Sequence, residues 1–210
     1  MKEPFVITIG RTFGSGGKTI GIELAERLGI PCYEEQIIRM ASDYSGISEQ
    51  LFAQSDAQLR TPAWRRKLAG YPDIDRMAHP NTKKFVSDDN MFAIQAQICR
   101  NLAETESCII IGKCANVVLK DYDNVVSFFV DADPATCEKR VMERICCSLS
   151  DAKDIIAKTD KNRRAFYEYY SQGHEWKDPR EYDLMINSSE LAFDKVCDLM
   201  LAYAKMKLGE

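Results

Sequence analysis

The run Gly14-Ser15-Gly16-Gly17-Lys18-Thr19 constrains this chain more than any other feature, because of what stands on either side of it. Residues 5–9, FVITI, form a compact β-rich apolar run that stops at Gly10, as a strand buried in a parallel sheet does. After the glycines, Ile20, Leu24, Ala25 and Leu28 recur at helical spacing, and Gly29 followed by Pro31 marks the helix stop. A strand, a glycine bend and a helix in that order suit an anion. Glycines let consecutive backbone N–H groups curl around phosphate oxygens, the helix N-terminus adds partial positive charge, and Lys18 adds a full one. Thr19 would then offer its hydroxyl to Mg2+. The spacing departs from G-x-x-x-x-G-K-[ST]: Thr12 stands where the first glycine belongs, and the glycine lies instead at Gly10 in a lengthened loop. A flexible Gly/Ser turn ahead of a lysine is the alternative, and the flanking strand and helix favour phosphate.

At 210 residues, 45% hydrophobic and 29% charged, the chain is long enough for one buried α/β core with small insertions. A net charge of −4 gives no electrostatic ground for general nucleic-acid binding. Without a leader-like start or an apolar run of membrane-spanning length, a cytoplasmic protein with no membrane partner is expected. Oligomeric state is not set by any of these features. The eight cysteines show no C-x-x-C pair and read as reduced core residues, and neither His79 nor His174 has a partner pattern.

Downstream, residues 33–104 carry helical patterns around a polar middle that holds Pro62, Pro72 and Pro80. A helix bearing Phe92, Ile94, Ile98 and Leu102 precedes strand-like runs at Cys108–Ile111 and Val125–Val130. Asp133 and Pro134 open a helix with Cys137, Val141 and Ile145 on its buried face, and Arg140 and Arg144 on another. Ser148, with Asp151 three residues on, starts a helix that runs to Tyr169 and Tyr170. Asp183–Asn187 is the last strand, and Ser189 is expected to cap a C-terminal helix carrying Phe193, Val196, Cys197 and Met200.

The segment ITIGRTFGSGGKTIGIELAERLGIPCYEEQII resembles the cytidylate kinase-like family, in which a GSGG-[R/K]-x-I-G loop replaces the usual spacing. IIIGKCANVVL is similar to the family's glycine-basic segment, and TDKNRRAFYEYY with YDLMINSSELAFDKV to its lid and terminal strand-helix. The likeness spans nearly the whole chain except about 55–90. It implies an α/β fold of the P-loop NTPase type, a parallel sheet flanked by helices in a single domain. The core would be about 1–33 and 105–210, a helical acceptor-binding insertion about 34–104, and a lid about 146–180. It also implies ATP and Mg2+, and phosphoryl transfer to a nucleoside monophosphate, with CMP or dCMP foremost. Such transfer proceeds through a loose transition state stabilised by positioning and positive charge.

Carried over residue by residue, the resemblance implies that Gly14, Ser15, Gly16, Gly17, Lys18 and Thr19 hold the ATP phosphates, with Lys18 at the β- and γ-phosphates. Arg140 and Arg144 would neutralise the moving phosphoryl group. Asp160 and Arg163, a D-x-x-R pair sharing one helix face, would bind the acceptor together with Lys113, and Glu34 would contact acceptor or metal-bound water. The residues alone leave other readings open: a solvated charged face for Lys158 to Arg164, ordinary helix surface for Arg140 and Arg144, and a helix-start carboxylate for Glu34. Tyr167, Tyr169 and Tyr170 read as packing residues. Gly112-Lys113-Cys114 stands where cytidylate kinases read G-R-D, replacing a bidentate arginine with a point charge and losing a carboxylate. That departure keeps open a kinase for another small acceptor. The lengthened loop keeps open a nucleotide-binding regulatory protein with little turnover.

Overall fold

The computed structural model describes residues 1 and 3–209. Among them, strands β1 (Val6–Arg11), β2 (Cys32–Tyr33), β3 (Cys108–Ile111), β4 (Val125–Asp131) and β5 (Leu184–Asn187) form one parallel sheet in the order β2-β3-β1-β4-β5. The helices are α1 (Gly17–Leu28), α2 (Gln36–Ser45), α3 (Glu49–Ala57), α4 (Ala63–Ala69), α5 (Asp88–Thr105), α6 (Ala115–Val118), α7 (Pro134–Ile145), α8 (Leu149–Tyr170) and α9 (Phe193–Leu208).

The apolar strands read as unbroken runs because both faces are covered. On one face Ile7, Ile9, Ile109, Ile111, Val126 and Phe128 pack with α1 and α9 through Ile20, Leu24, Val196 and Met200. On the other, Val6, Cys108, Ile110 and Phe129 pack with Phe92, Ile98 and Leu102 of α5 and Tyr170 of α8. From β1 the chain crosses to β2 on one side, and from β3 it crosses to β4 on the other. The strand order therefore turns at β1, and a crevice opens at the carboxyl ends of β1 and β3. The glycine bend is the first thing the chain does after β1.

Local signals place several helix ends. Ser148 and Asp151 form a complete capping box on α8, and the Ser87 side chain accepts from the Asn90 N–H at the start of α5. Ser189 does not cap the last helix: α9 begins at Phe193 with Ala192 at its cap, while Ser189 Oγ accepts from Asp133 N at 2.7 Å. Asp133 caps α7 by backbone conformation alone, and its Oδ1 takes Asn187 Nδ2 at 3.1 Å. Ile145 is exposed at the last turn of α7, and Asp183 lies just before β5, its carboxylate accepting from Ser127 N. Cys146, in left-handed conformation after α7, is exposed rather than a core residue, and Cys32 and Cys147 are half-buried. The tyrosines pack: Tyr170 stacks on Phe92 with ring centroids 3.8 Å apart. No helix among the described residues is long and apolar enough to cross a membrane.

Candidate active site

The bend between β1 and α1 is held by hydrogen bonds to β4 and to the segments that follow it. Thr12 N donates to Val130 O (3.2 Å), Thr12 Oγ1 to Asp131 Oδ1 (2.7 Å), and Ser15 Oγ to Thr12 O (2.9 Å). Ser15 O accepts from Ser188 Oγ (2.6 Å) and Arg140 Nη1 (3.0 Å), which turns that carbonyl away from the bend's interior. Gly14 and Gly16 both sit at φ 87°, and a Cβ at either would collide with Cys137 or the Phe193 ring.

Among the described residues, the backbone N–H groups of Gly14 through Thr19 donate to no protein acceptor; the first helical bond runs from Ile20 N to Gly16 O at 2.9 Å. The first turn of α1 carries no acidic side chain. A row of unpaired donors at a helix N-terminus is a fit for phosphate oxygens. The exposed Thr19 offers a hard oxygen donor suited to Mg2+, which keeps most of its ligands as water and phosphate, while the two Glu34 oxygens are each paired with a cation.

Glu34, just past β2, joins two cations. It forms an ion pair with Arg11 Nη2 and another with Lys18 Nζ at 2.6 Å. Burial pushes its carboxyl up, but Arg11 and Lys18 more than offset this and hold it below the usual range. The Glu34 carboxylate against it in turn raises the Lys18 ammonium. Lys18 remains half exposed, with Glu35 at 3.6 Å.

Asp160 and Arg163, on α8, both grip the bend itself. Asp160 Oδ1 accepts from Phe13 N at 2.8 Å, and Arg163 Nη1 donates to Arg11 O at 3.2 Å, with 3.8 Å between the two charged groups. The Phe13 ring lies under the Arg144 and Arg163 guanidiniums, 4.9 and 5.5 Å from its centroid. Burial, and then the nearby Arg11 charge, push the Arg163 guanidinium down to about 9, against the pull of Asp160. Burial likewise raises Asp160, opposed by the Phe13 amide.

The structure thus brings Lys18, Glu34, Arg140, Arg144, Asp160 and Arg163 around one bend. Arg140 gives its guanidinium to Ser15 O, Ser188 Oγ and Ser188 O, and stacks on Phe193, so its donors serve the bend's frame. Lys113 stands apart. Its ammonium is almost fully buried against Asp56 Oδ2 at 2.5 Å, across a cleft of about 540 Å³ that opens beside the bend. Arg11, Asp56, Lys113, Arg163, Phe166 and Trp176 are among the residues lining it.

Sequence reasoning missed Arg11, Asp56 and Asp131. Asp131 ends β4 and takes Thr12 Oγ1 and Lys177 Nζ (2.8 Å), and a carboxylate at the carboxyl end of a core strand was the signal for it. Arg11 shared only the position, at the carboxyl end of β1. Asp56 had none.

A parallel sheet whose order turns at β1, with a phosphate-fitting bend at that strand's end, defines a protein of the P-loop fold class. Residues 6–190 match the cytidylate kinase-like family, and the chain belongs to it. A cytidylate kinase from Pyrococcus horikoshii is 26% identical over 191 residues, which is 90% of this chain and 82% of that one. A crystal structure of an uncharacterized protein from Eubacterium ventriosum is similar with a TM-score of 0.70 at 27% identity, covering 96% of this chain and 98% of the other. Shikimate kinase from Bacteroides thetaiotaomicron shares the fold at a TM-score of 0.53 and 12% identity, covering 94% and 97%. Kinase-like phosphoryl transfer is the class of chemistry these findings support.

Proposed function

We propose that the chain transfers the γ-phosphoryl group of ATP to a nucleoside monophosphate, with CMP and dCMP the foremost acceptors. The observation that carries this reading is the row of unpaired amides from Gly14 to Thr19 opening beside a cleft floored by Arg11 and Arg163. The amides and the start of α1 would hold the donor phosphates, with Lys18 at the rim. Thr19 would offer its hydroxyl to Mg2+, which would supply charge neutralisation, with Glu34 placed to contact metal-bound water. Transfer breaks the bond between the γ-phosphorus and the ADP oxygen and forms one to an acceptor phosphate oxygen, giving ADP and a nucleoside diphosphate.

The chain's own part is positioning and charge. Arg163 and Arg11 face the cleft, Arg144 lies above Phe13, and Asp160 fixes the bend against α8. Residues 34–104 would supply the acceptor side and residues 146–180 the lid, α8 being its long element. The cleft is roomy enough for a mononucleotide, and Phe166, Tyr167 and Trp176 offer apolar faces to a base. One observation favours a different small acceptor: Lys113, spent on Asp56, leaves a neutral ion pair where cytidylate kinases read arginine and a carboxylate.

A coupled ADP-release assay with ATP, Mg2+ and a panel of nucleoside monophosphates tests the reading. CMP- or dCMP-dependent turnover supports it. Turnover with another acceptor only moves the assignment to that acceptor, and ATP binding without turnover on any of them points to a nucleotide-binding regulator.

A further inference from the structure

In a G-K phosphate loop the lysine directly follows the glycine that precedes the helix. Here that glycine is Gly16, the left-handed cap of α1, and the residue after it is Gly17, not a lysine. Lys18 comes one step later, about 100° further around the helix, and its ammonium is at the rim with Glu34 and Glu35, half exposed. The space a side chain at 17 would enter is already filled. A Cβ there would lie 2.6 Å from Arg11 Cβ and 3.2 Å from Arg11 Cγ.

Arg11 carries its guanidinium along that route toward the end of β3, where it closes against Gly112 and pairs with Glu34. Its side chain is only 15% exposed and lines the cleft, which Lys18 does not. Among the described residues it donates through Nη2 alone, to Glu34, leaving Nε and Nη1 without acceptors. Three further cations, Lys113, Lys158 and Arg163, line the same cleft, Lys113 being paired with Asp56. A nearly buried guanidinium with spare donors beside other cations calls for an anion.

We propose that Arg11 is the inward cation of the phosphate loop, contacting the phosphoryl group at the boundary between bend and cleft, and that Gly17 lacks a side chain to admit it. This rests on ATP being the bend's ligand, as the proposed function holds. Charge-assisted bonds are worth about 1.5–3 kcal/mol, or roughly 10- to 150-fold in affinity.

The test is equilibrium titration of the full chain with ATP and Mg2+, without acceptor. Arg11→Gln, which keeps the stem and removes the charge, is expected to weaken ATP binding by about 10-fold or more, and Lys18→Gln by clearly less. Arg11→Ala should do the same as Arg11→Gln, and Arg11→Ala with Gly17→Lys should recover most of the loss, the new ammonium entering the vacated route. A melting curve for each variant separates binding from folding, and Gly17→Ala, which displaces the Arg11 stem without touching a charge, should weaken ATP on its own. Loss on Lys18→Gln equal to or greater than that on Arg11→Gln would overturn the assignment, as would ATP affinity unchanged in Arg11→Gln. Because no acceptor is present, failure to phosphorylate CMP would sink the proposed acceptor and leave this assignment standing, whereas a wild-type chain that ignores ATP would end both.

Discussion

Phe13 is where the bend's chemistry and its packing meet: its amide is held by Asp160, and its ring lies beneath Arg144 and Arg163. Asp160→Ala strips a charged acceptor from that amide, at a cost of about 1–3 kcal/mol in ordering the bend. KM for ATP should rise at least several-fold with kcat changed less; an unaltered KM would refute the role. The i, i+3 spacing of Asp160 and Arg163 was legible in the sequence, but their partner, the backbone of a loop about 150 residues earlier, was not.

Glu34 makes a pH prediction of definite sign. Its folded-state carboxyl is held below the unfolded value, so its stabilisation is present above the ordinary glutamate range and fades as pH falls through the lowered value. Glu34→Gln should therefore narrow the stability gap between neutral and acidic pH, read from denaturant midpoints at pH 7 and pH 3. An acid-side slope identical to wild type would contradict the pairing with Arg11 and Lys18.

Among the elements, α8 shows which signals travel through local sequence. Its capping box was legible because both partners lie within one turn, and Ser148→Ala should cost about 1 kcal/mol. That corresponds to a fall of about 2–4 °C in Tm for a chain of this size, with ATP affinity unchanged. A change in ATP affinity at constant Tm would mean the start of α8 takes part in binding instead. The last helix shows the opposite case. Ser189 had the residue type of a cap, but its hydroxyl is taken by the Asp133 amide from another part of the sheet edge, and the helix waits until Phe193. Strands were legible for a simpler reason: residues such as Ile7 and Phe129 are buried on opposite faces, which leaves an uninterrupted apolar run.

For the whole molecule, the sheet couples core to cleft. Phe129 packs edge-on against Trp176, ring centroids 5.4 Å apart, and against Tyr182 at 5.0 Å, and both partners also line the cleft. Phe129→Ala should destabilise the fold by about 3–5 kcal/mol and, in the fraction that stays folded, raise KM for the acceptor. Loss of stability with an unchanged acceptor KM would show the cleft wall to be independent of that core. What stayed illegible at this scale was the pairing of Lys113 with Asp56: they lie 57 positions apart, and no pattern around Asp56 singles it out.

Among the described residues the six backbone amides of Gly14 through Thr19 have no protein acceptor, and in the proposed function a triphosphate takes them. Backbone amide NMR of the labelled chain, titrated with ATP and Mg2+, reads them one by one. The largest shifts and slowed hydrogen exchange are expected at Gly14 through Thr19, with Arg11 and Phe13 following. Saturation by ATP with those amides unmoved, and the shifts gathered elsewhere, would contradict the proposed function.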